Sequence, residues 1–267
     1  MKILFLGDVV GNSGCSKLVE CLPSQKKLRK IDFVIVNGEN ADESGVGLTQ
    51  NICEKFFSSG VDVITSGNHI WDQKDIMQFI ENEKRILRPT NFFEPSPGKG
   101  FEIFTTVNNF KIGVLNLIGN VFMKKSNDVF EAANQFINKF KLKKDFDFLV
   151  VDFHGEITSE KNAIGHFFDG QATLVVGTHT HIPTNDARIL QNGTAYQTDA
   201  GMCGDYDSVI GMNKNNSLNR FMKKDSAKHF PANGDSTLCG VIVECNTETG
   251  LANKVESYIF GEKFKNS

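Results

Sequence analysis

The sequence predicts an α/β fold, and three features carry that prediction. Short apolar, β-branched runs alternate with helix-period stripes from Lys2 to Glu83. Beyond a loop carrying Pro89, Pro95 and Pro97, the alternation gives way to paired strands around Asn108-Asn109. Several apolar runs also end in Asp, Glu, Asn or His, as expected at the carboxyl edge of a parallel sheet that gathers ligands. At 267 residues the chain can bury a large core. No repeat, linker or low-complexity tract divides it, so residues 1–267 are read as one domain.

Each element has its own signal. Lys2-Ile3-Leu4-Phe5-Leu6 is the first strand, ending in Gly7-Asp8, and a helix from roughly Cys15 to Lys30 turns Leu18, Leu22 and Leu28 to the core. Phe33 to Val36 is the second strand, ending in Asn37-Gly38-Glu39-Asn40. A glycine loop at Gly45 and Gly47 then leads into a helix to about Phe57. Val61 to Thr65 ends in Ser66-Gly67-Asn68-His69, and a helix is expected from Lys74 to Glu83. Phe101 to Val107 and Lys111 to Leu117 form the hairpin. Asp128 to Phe140 sets Val129, Phe130, Ala133, Phe136, Ile137 and Phe140 on one stripe.

Phe148 to Phe153 delivers His154-Gly155-Glu156, and Thr158 opens a helix to about Phe168 in which His166 reads as a packed histidine. Ala172 to Val176 runs into Gly177-Thr178-His179-Thr180-His181. Asn192-Gly193 is the turn between Arg188 to Leu190 and Thr194 to Tyr196. Gly201 to Ser208 reads as a loop too polar for the core, Asn213 to Lys224 as a helix, and Asp225 to Asp235 as a mobile loop holding His229. Thr237 to Cys245 and Lys254 to Phe260 close the chain as strands.

Composition excludes several functions. A net charge of −3 argues against a duplex-DNA binder, which carries a basic excess. The basic runs Lys26 to Lys30 and Lys139 to Lys144 sit at helix ends and read as solvated faces. The six cysteines have no Cys-x-x-Cys pair, so reduced core thiols are expected rather than disulfides or a structural zinc site. With no apolar run near 18 residues and no leader pattern, the expected location is cytoplasmic, away from membranes. Gly7, Gly11 and Gly14 do not fit a dinucleotide fingerprint, and no phosphate-loop lysine motif occurs.

The chemistry is concentrated at strand ends. His179 and His181, at i and i+2 after a buried strand, are expected to leave it extended and to project to one side. Asp8, Glu39, Asn40, Asn68 and His154 occupy the other strand ends, with His69 adjoining. Such mixed nitrogen and oxygen donors, with no thiolate, suit Mn, Fe, Zn, Co or Ni. Seven donors exceed one tetrahedral site and suit two ions that share a carboxylate. Glu39 is the better bridge than Asp8, because it stands between the two groups of donors in strand order. Paired ions of this kind activate water and clamp a phosphoryl group.

Gly7-Asp8, Gly38-Glu39-Asn40, Gly67-Asn68-His69, His154 and Gly177-Thr178-His179-Thr180-His181 together resemble the calcineurin-like metallophosphoesterase superfamily. Asp152-Phe153-His154, Thr158-Ser159-Glu160-Lys161 and Thr198-Asp199-Ala200-Gly201-Met202 are similar to its bacterial YmdB-like branch. The resemblance implies a layered α/β/β/α sandwich of mixed sheets with the active site at strand carboxyl ends. It also implies a dinuclear centre, with Asp8, Glu39, Asn40 and His181 on one ion and Glu39, Asn68, His154 and His179 on the other. Fe or Mn comes first as the metal, and Zn, Co or Ni second.

The same resemblance makes His69 the catalytic acid, with Asp199 and Glu156 in supporting or rim positions. It implies hydrolysis of 2′,3′-cyclic and, as a second class, 3′,5′-cyclic nucleotides. The chain departs from the superfamily pattern at Val10, where a His is usual, and at Glu39, where an Asp is usual; both departures match the branch. Gly155 stands where another small residue, often Ala, is expected. The alternatives are a phosphomonoesterase and a catalytically weak nucleotide- or RNA-binding regulator. A homo-oligomer is expected ahead of a monomer.

Overall fold

In the computed structural model, residues 1–224, 228–261 and 264 are described. The first half reads β1 (Lys2–Leu6), β2 (Asp8–Val9), α1 (Gly11–Arg29), β3 (Phe33–Asn37), α2 (Gln50–Ser58), β4 (Val63–Thr65) and α3 (Ile76–Phe79). The hairpin β5 (Phe101–Thr105) and β6 (Lys111–Ile118) follows, then α4 (Val129–Lys139), β7 (Phe148–His154), α5 (Thr158–Phe167) and β8 (Leu174–Thr178). The chain ends through β9 (Arg188–Ile189), β10 (Ala195–Gln197), β11 (Met202–Asp205), α6 (Lys214–Phe221), β12 (Ser236–Cys245) and β13 (Ala252–Phe260).

These strands make two mixed sheets. The first runs β2-β11-β12-β1-β3-β4, with β13 also paired to β12. Within it β1, β3 and β4 are parallel, and β12 is antiparallel to β1, β11 and β13. The second runs β5-β6-β7-β8-β10-β9, parallel from β6 to β10 and antiparallel at both edges. Alternation of side chains splits the central strands of each sheet between two apolar clusters. Ile3, Phe5 and Ile35 of the first sheet share a cluster with Val114, Val150 and Val176 of the second. Leu4, Val34 and Val36 instead pack with Leu18, Leu22 and Phe56 of α1 and α2. Leu117, Val151 and Val175 pack with Ala133 and Phe136 of α4 and Ile164 of α5.

Four local expectations need correction. α1 begins at Gly11, four residues before Cys15, because glycine serves packing there: a Cβ on Gly14 would lie 2.2 Å from the Cys203 carbonyl oxygen. Its buried stripe is Gly11, Gly14, Leu18, Leu22 and Gln25, which leaves Leu28 72% exposed. The helix expected from Lys74 to Glu83 contracts to α3, since the polar residues around it bond elsewhere. The Gln73 amide donates to Asp42, Ser44 and Val46, Asp75 accepts from the Gln50 amide, and Glu83 pairs with Arg85. The stretch from Gly201 to Ser208 contains β11, a buried strand rather than a loop; Asp205 is accommodated by amides of Asp207 and Gly234 at 2.8 and 2.9 Å. His166 lies on the exposed face of α5, so it is not packed.

The other elements agree with expectation within a residue or two, as element ends commonly do, except that α6 stops at Phe221, three residues short of Lys224. α4 buries Val129, Ala133 and Phe136 behind an Asp128 cap, although Phe130 stays partly exposed. All six cysteines are free thiols, four of them buried. Part of the Asp225–Asp235 loop, residues 225–227, lies outside the described residues. Among the described residues no helix is long and apolar enough to cross a membrane.

Candidate metal centre

Each expected donor lies at or just past the carboxyl end of a strand: Asp8 after β1, Glu39 and Asn40 after β3, Asn68 and His69 after β4. His154 is the last residue of β7, and His179 and His181 follow β8. The parallel order of both sheets brings these ends to one side. Nε2 of His154 is the hub, 2.9 Å from Glu39 Oε1, 3.1 Å from Asn68 Oδ1 and 3.1 Å from His179 Nδ1. Glu39, His154 and His179 offer ligand atoms all within 4.8 Å of one another. Asp8 Oδ1 lies 3.9 Å from both His154 Nδ1 and His181 Nε2. Its Oδ2 accepts from the His179 amide at 3.1 Å.

Above this cluster opens a cleft of 1210 Å³, lined by Glu39, Asn40, His69, His179 and His181 among others. Asp8, Asn68 and His154 are buried and join the cluster from beneath the cleft. All eight residues expected from the sequence therefore fall in one neighbourhood. One expectation about the route fails: His179 and His181 do not leave β8 extended, having φ of 95° and 66°. Left-handed backbone at a non-glycine residue is strained and needs outside support. Asp199 supplies it, accepting from the Thr180 amide at 3.2 Å and hydroxyl at 2.7 Å, while Lys161 Nζ sits 2.6 Å from the same carboxylate oxygen.

The donors are oriented as a metal site requires. A ligating imidazole turns one nitrogen to the ion and fixes the other on an acceptor. His154 Nδ1 faces Thr178 Oγ1 at 2.9 Å, His179 Nε2 faces Glu156 Oε2 at 3.0 Å, and His181 Nδ1 faces the Ile210 carbonyl at 2.8 Å. The remaining nitrogens of His154 and His181 are turned toward Glu39 and Asp8, and that of His179 toward His154 Nε2. The Asn40 amide donates to the Gly45 carbonyl at 3.0 Å, which sets its Oδ1 the other way. That Oδ1 and Asp8 Oδ1 are buried without a hydrogen-bond partner among the described residues, an arrangement that costs stability unless a cation meets them. Gly67 is required by the crowding: a Cβ there would stand 2.3 Å from His154 Nε2 and 2.5 Å from Glu39 Oε2. Residues and group fit.

Electrostatics agree with that fit. Burial opposes ionisation of Glu39, yet the charge and hydrogen bond of His154, with His69, hold it down to about 2. Burial raises Asp8. Burial also opposes a charge on His154, but Glu39, Asp8 and Asp152 outweigh it and lift the imidazole to about 9. His179 falls to about 3, through burial first and then the charge of its neighbour His154. The pocket thus draws positive charge to the position between Glu39 and the two imidazoles, where a cation satisfies the same imbalance.

Several supporting residues had no role assigned to them from the sequence, although Asp152, Thr178 and Asn37 stand inside the blocks quoted there. Asp152 is buried and accepts from Thr178 Oγ1 at 2.7 Å, Thr65 Oγ1 at 2.5 Å and Asn37 Nδ2 at 3.0 Å. Burial pushes its carboxyl up to about 7. The signal was available: β3, β4 and β8 are apolar runs that each end on a polar residue, Asn37, Thr65 and Thr178. Asp72, whose Oδ2 is 2.7 Å from His69 Nδ1, sits in a turn with no periodic signature.

Comparison with known proteins extends over the whole arrangement. A 2′,3′-cyclic-nucleotide 2′-phosphodiesterase of Bacillus subtilis (strain 168) is 42% identical over 262 residues, covering 98% of both chains. Two crystal structures superpose with a TM-score of 0.90. One is a hypothetical protein from Thermus thermophilus, 35% identical and covering 98% of this chain and 100% of that one. The other, described as a novel phosphatase, is from Mycoplasma pneumoniae and is 37% identical, with coverage of 98% and 93%. The profile of the YmdB-like protein family matches residues 4–258, and the chain belongs to that family.

Proposed function

We propose that this chain is a dimetal phosphodiesterase that hydrolyses cyclic nucleotides, 2′,3′-cyclic ones first and 3′,5′-cyclic ones as a second class. The observation that carries the reading is the convergence of Glu39, His154 and His179 beside the unpartnered oxygens of Asp8 and Asn40. The activity of the Bacillus relative supplies the substrate class. Asp8, Glu39, Asn40 and His181 would hold one ion, and Glu39, Asn68, His154 and His179 the other. Fe or Mn is the first choice of metal, with Zn, Co or Ni second. Two such ions supply the charge that neutralises a phosphodiester and makes water acidic enough to attack it.

The chain's own residues do the rest. His69 lines the cleft, and its Nδ1 is held by Asp72, which turns Nε2 to the open side as a proton donor for the departing ribose oxygen. Lys124 Nζ, 2.6 Å from the Asn68 carbonyl and 3.7 Å from Asp72, steadies this turn. The two sheets and their three apolar clusters support a layered α/β/β/α sandwich forming one domain over residues 1–267. A cytoplasmic homo-oligomer without affinity for duplex DNA completes the reading.

Among the described residues lining the cleft there is no arginine, which disfavours a phosphomonoesterase gripping a terminal phosphate. A chromogenic bis-phosphodiester assay with added Mn tests the activity, set against a monoester and against 2′,3′- and 3′,5′-cyclic nucleotides. His69→Ala is expected to keep its metal content and to lose about 10²–10⁴-fold in turnover on substrates with poor leaving groups. Loss of ions from that variant would place His69 among the ligands, and absence of diesterase activity in the wild type would end the proposal.

A further inference from the structure

Four buried polar side chains behind His154 form a network that substrate does not reach. Asn37, Thr65, Asp152 and Thr178 are each 0% exposed, and they come from four different strands. Three donors aim at one carboxylate: Asn37 Nδ2 and Thr65 Oγ1 at Asp152 Oδ2, and Thr178 Oγ1 at Asp152 Oδ1. A hydroxyl has one hydrogen. With that hydrogen committed to Asp152, Thr178 Oγ1 meets His154 Nδ1 at 2.9 Å with a lone pair. Nδ1 must then keep the N–H, and Nε2, among Glu39, Asn68 and His179, is the nitrogen that gives up its proton to an ion.

We propose that Thr178 and Asp152 are positioning residues that lock His154 in the Nδ1–H tautomer and thereby set the affinity of the centre for its ions. The inference rests on the metal-site reading above, and it concerns residues that neither bind metal nor touch substrate. The arrangement has a physical logic. His179 and His181 are pinned by an exposed carboxylate and a backbone carbonyl, whereas His154, buried at the hub, has no water to choose its tautomer for it. A threonine alone is indifferent, because it can donate or accept. With its carboxylate ionised, Asp152 removes the ambiguity, and the donors Asn37 and Thr65 hold it in place.

The test uses full-length protein stripped of metal and titrated with Mn, alongside Zn-loaded protein labelled with ¹⁵N-histidine. Thr178→Val keeps shape and removes the acceptor, whereas Thr178→Ser keeps the hydroxyl. Titration calorimetry on Thr178→Val is expected to show about 10–100-fold weaker binding of one of two ions. Thr178→Ser should stay near wild type. In the wild type the His154 nitrogen shifts should show Nδ1 protonated and Nε2 ligated, a readout that does not depend on any variant folding. Wild-type affinity in Thr178→Val, equal losses in both variants, or a ligated Nδ1 would each overturn the proposal. A wild-type protein that takes up no divalent ion would instead end the metal-site reading itself.

Discussion

Lys161→Met tests whether the strained histidine loop is held by a buried ion pair. Lys161 and Asp199 have side chains only 2% and 0% exposed, with Nζ 2.6 Å from Oδ2. At an effective dielectric near 20, two unit charges about 3 Å apart attract by about 5–6 kcal/mol. Removing the lysine also removes its own desolvation cost, so the net loss is smaller; breaking a buried pair from one side typically costs about 3–5 kcal/mol. Asp199 would keep the Thr180 amide, the Thr180 hydroxyl and the Gly201 amide as donors, which argues for the lower end, about 3 kcal/mol. Urea unfolding at constant slope measures it. The double variant Lys161→Met/Asp199→Leu removes both charges and should recover much of the stability. It still lacks the acceptor that holds Thr180, so its metal affinity should remain low. A single variant losing less than about 1 kcal/mol, or a double variant that binds Mn like the wild type, would refute the reasoning.

Other outcomes follow from the same geometry. Gly67→Ala forces a methyl to within 2.3 Å of His154 and 2.5 Å of Glu39, so elemental analysis of the purified variant should show at least one ion lost. Metal uptake should release a proton, because His154, lifted to about 9, is charged in the metal-free protein at neutral pH and must give up Nε2–H. Mn affinity should therefore rise about tenfold per pH unit below 9, and calorimetry in buffers of different ionisation enthalpy should count the proton. In α1, Leu22→Ala should cost about 2–5 kcal/mol, whereas Leu28→Ala should fall within about 0.5 kcal/mol of wild type. Denaturant midpoints of the two variants compare them directly.

The gathering of the candidate donors was legible because parallel strands place their carboxyl ends together, so apolar runs ending in Asp8, Glu39, Asn68 and His154 announce a shared edge. The backbone that presents His179 and His181 was not legible, since its left-handed turns depend on Asp199, distant in sequence from the loop it supports. β11 was misread for a related reason. Glycine and aspartate in Met202–Asp205 look like loop residues until β2 and β12 close over them, and the amides that satisfy Asp205 come from residues 207 and 234. The overlong α3 shows propensity yielding to side-chain bonding, with Gln73 and Asp75 bound to neighbouring loops. Local signals give the elements and the donors, whereas the contacts that decide loop geometry are long-range.

The buried polar groups fall into two sets that behave differently in the metal-free chain. Asp152, Asp199 and Thr178 are saturated: every oxygen of theirs meets a donor or acceptor, so they rigidify the strand ends that carry them. Asp8 Oδ1 and Asn40 Oδ1 meet none among the described residues, and Glu39 depends on imidazoles for its compensation. A fold that satisfies the outer set and leaves the inner one short is not poorly made, because the shortfall is confined to the atoms turned toward the cluster. Rigid surroundings keep Asp8 and Asn40 from rotating toward alternative partners, and so keep these oxygens turned toward the position proposed for the ions. The outer network thus holds the inner donors in a geometry they would not keep by themselves, linking the stability of the strand ends to the chemistry proposed for the cleft.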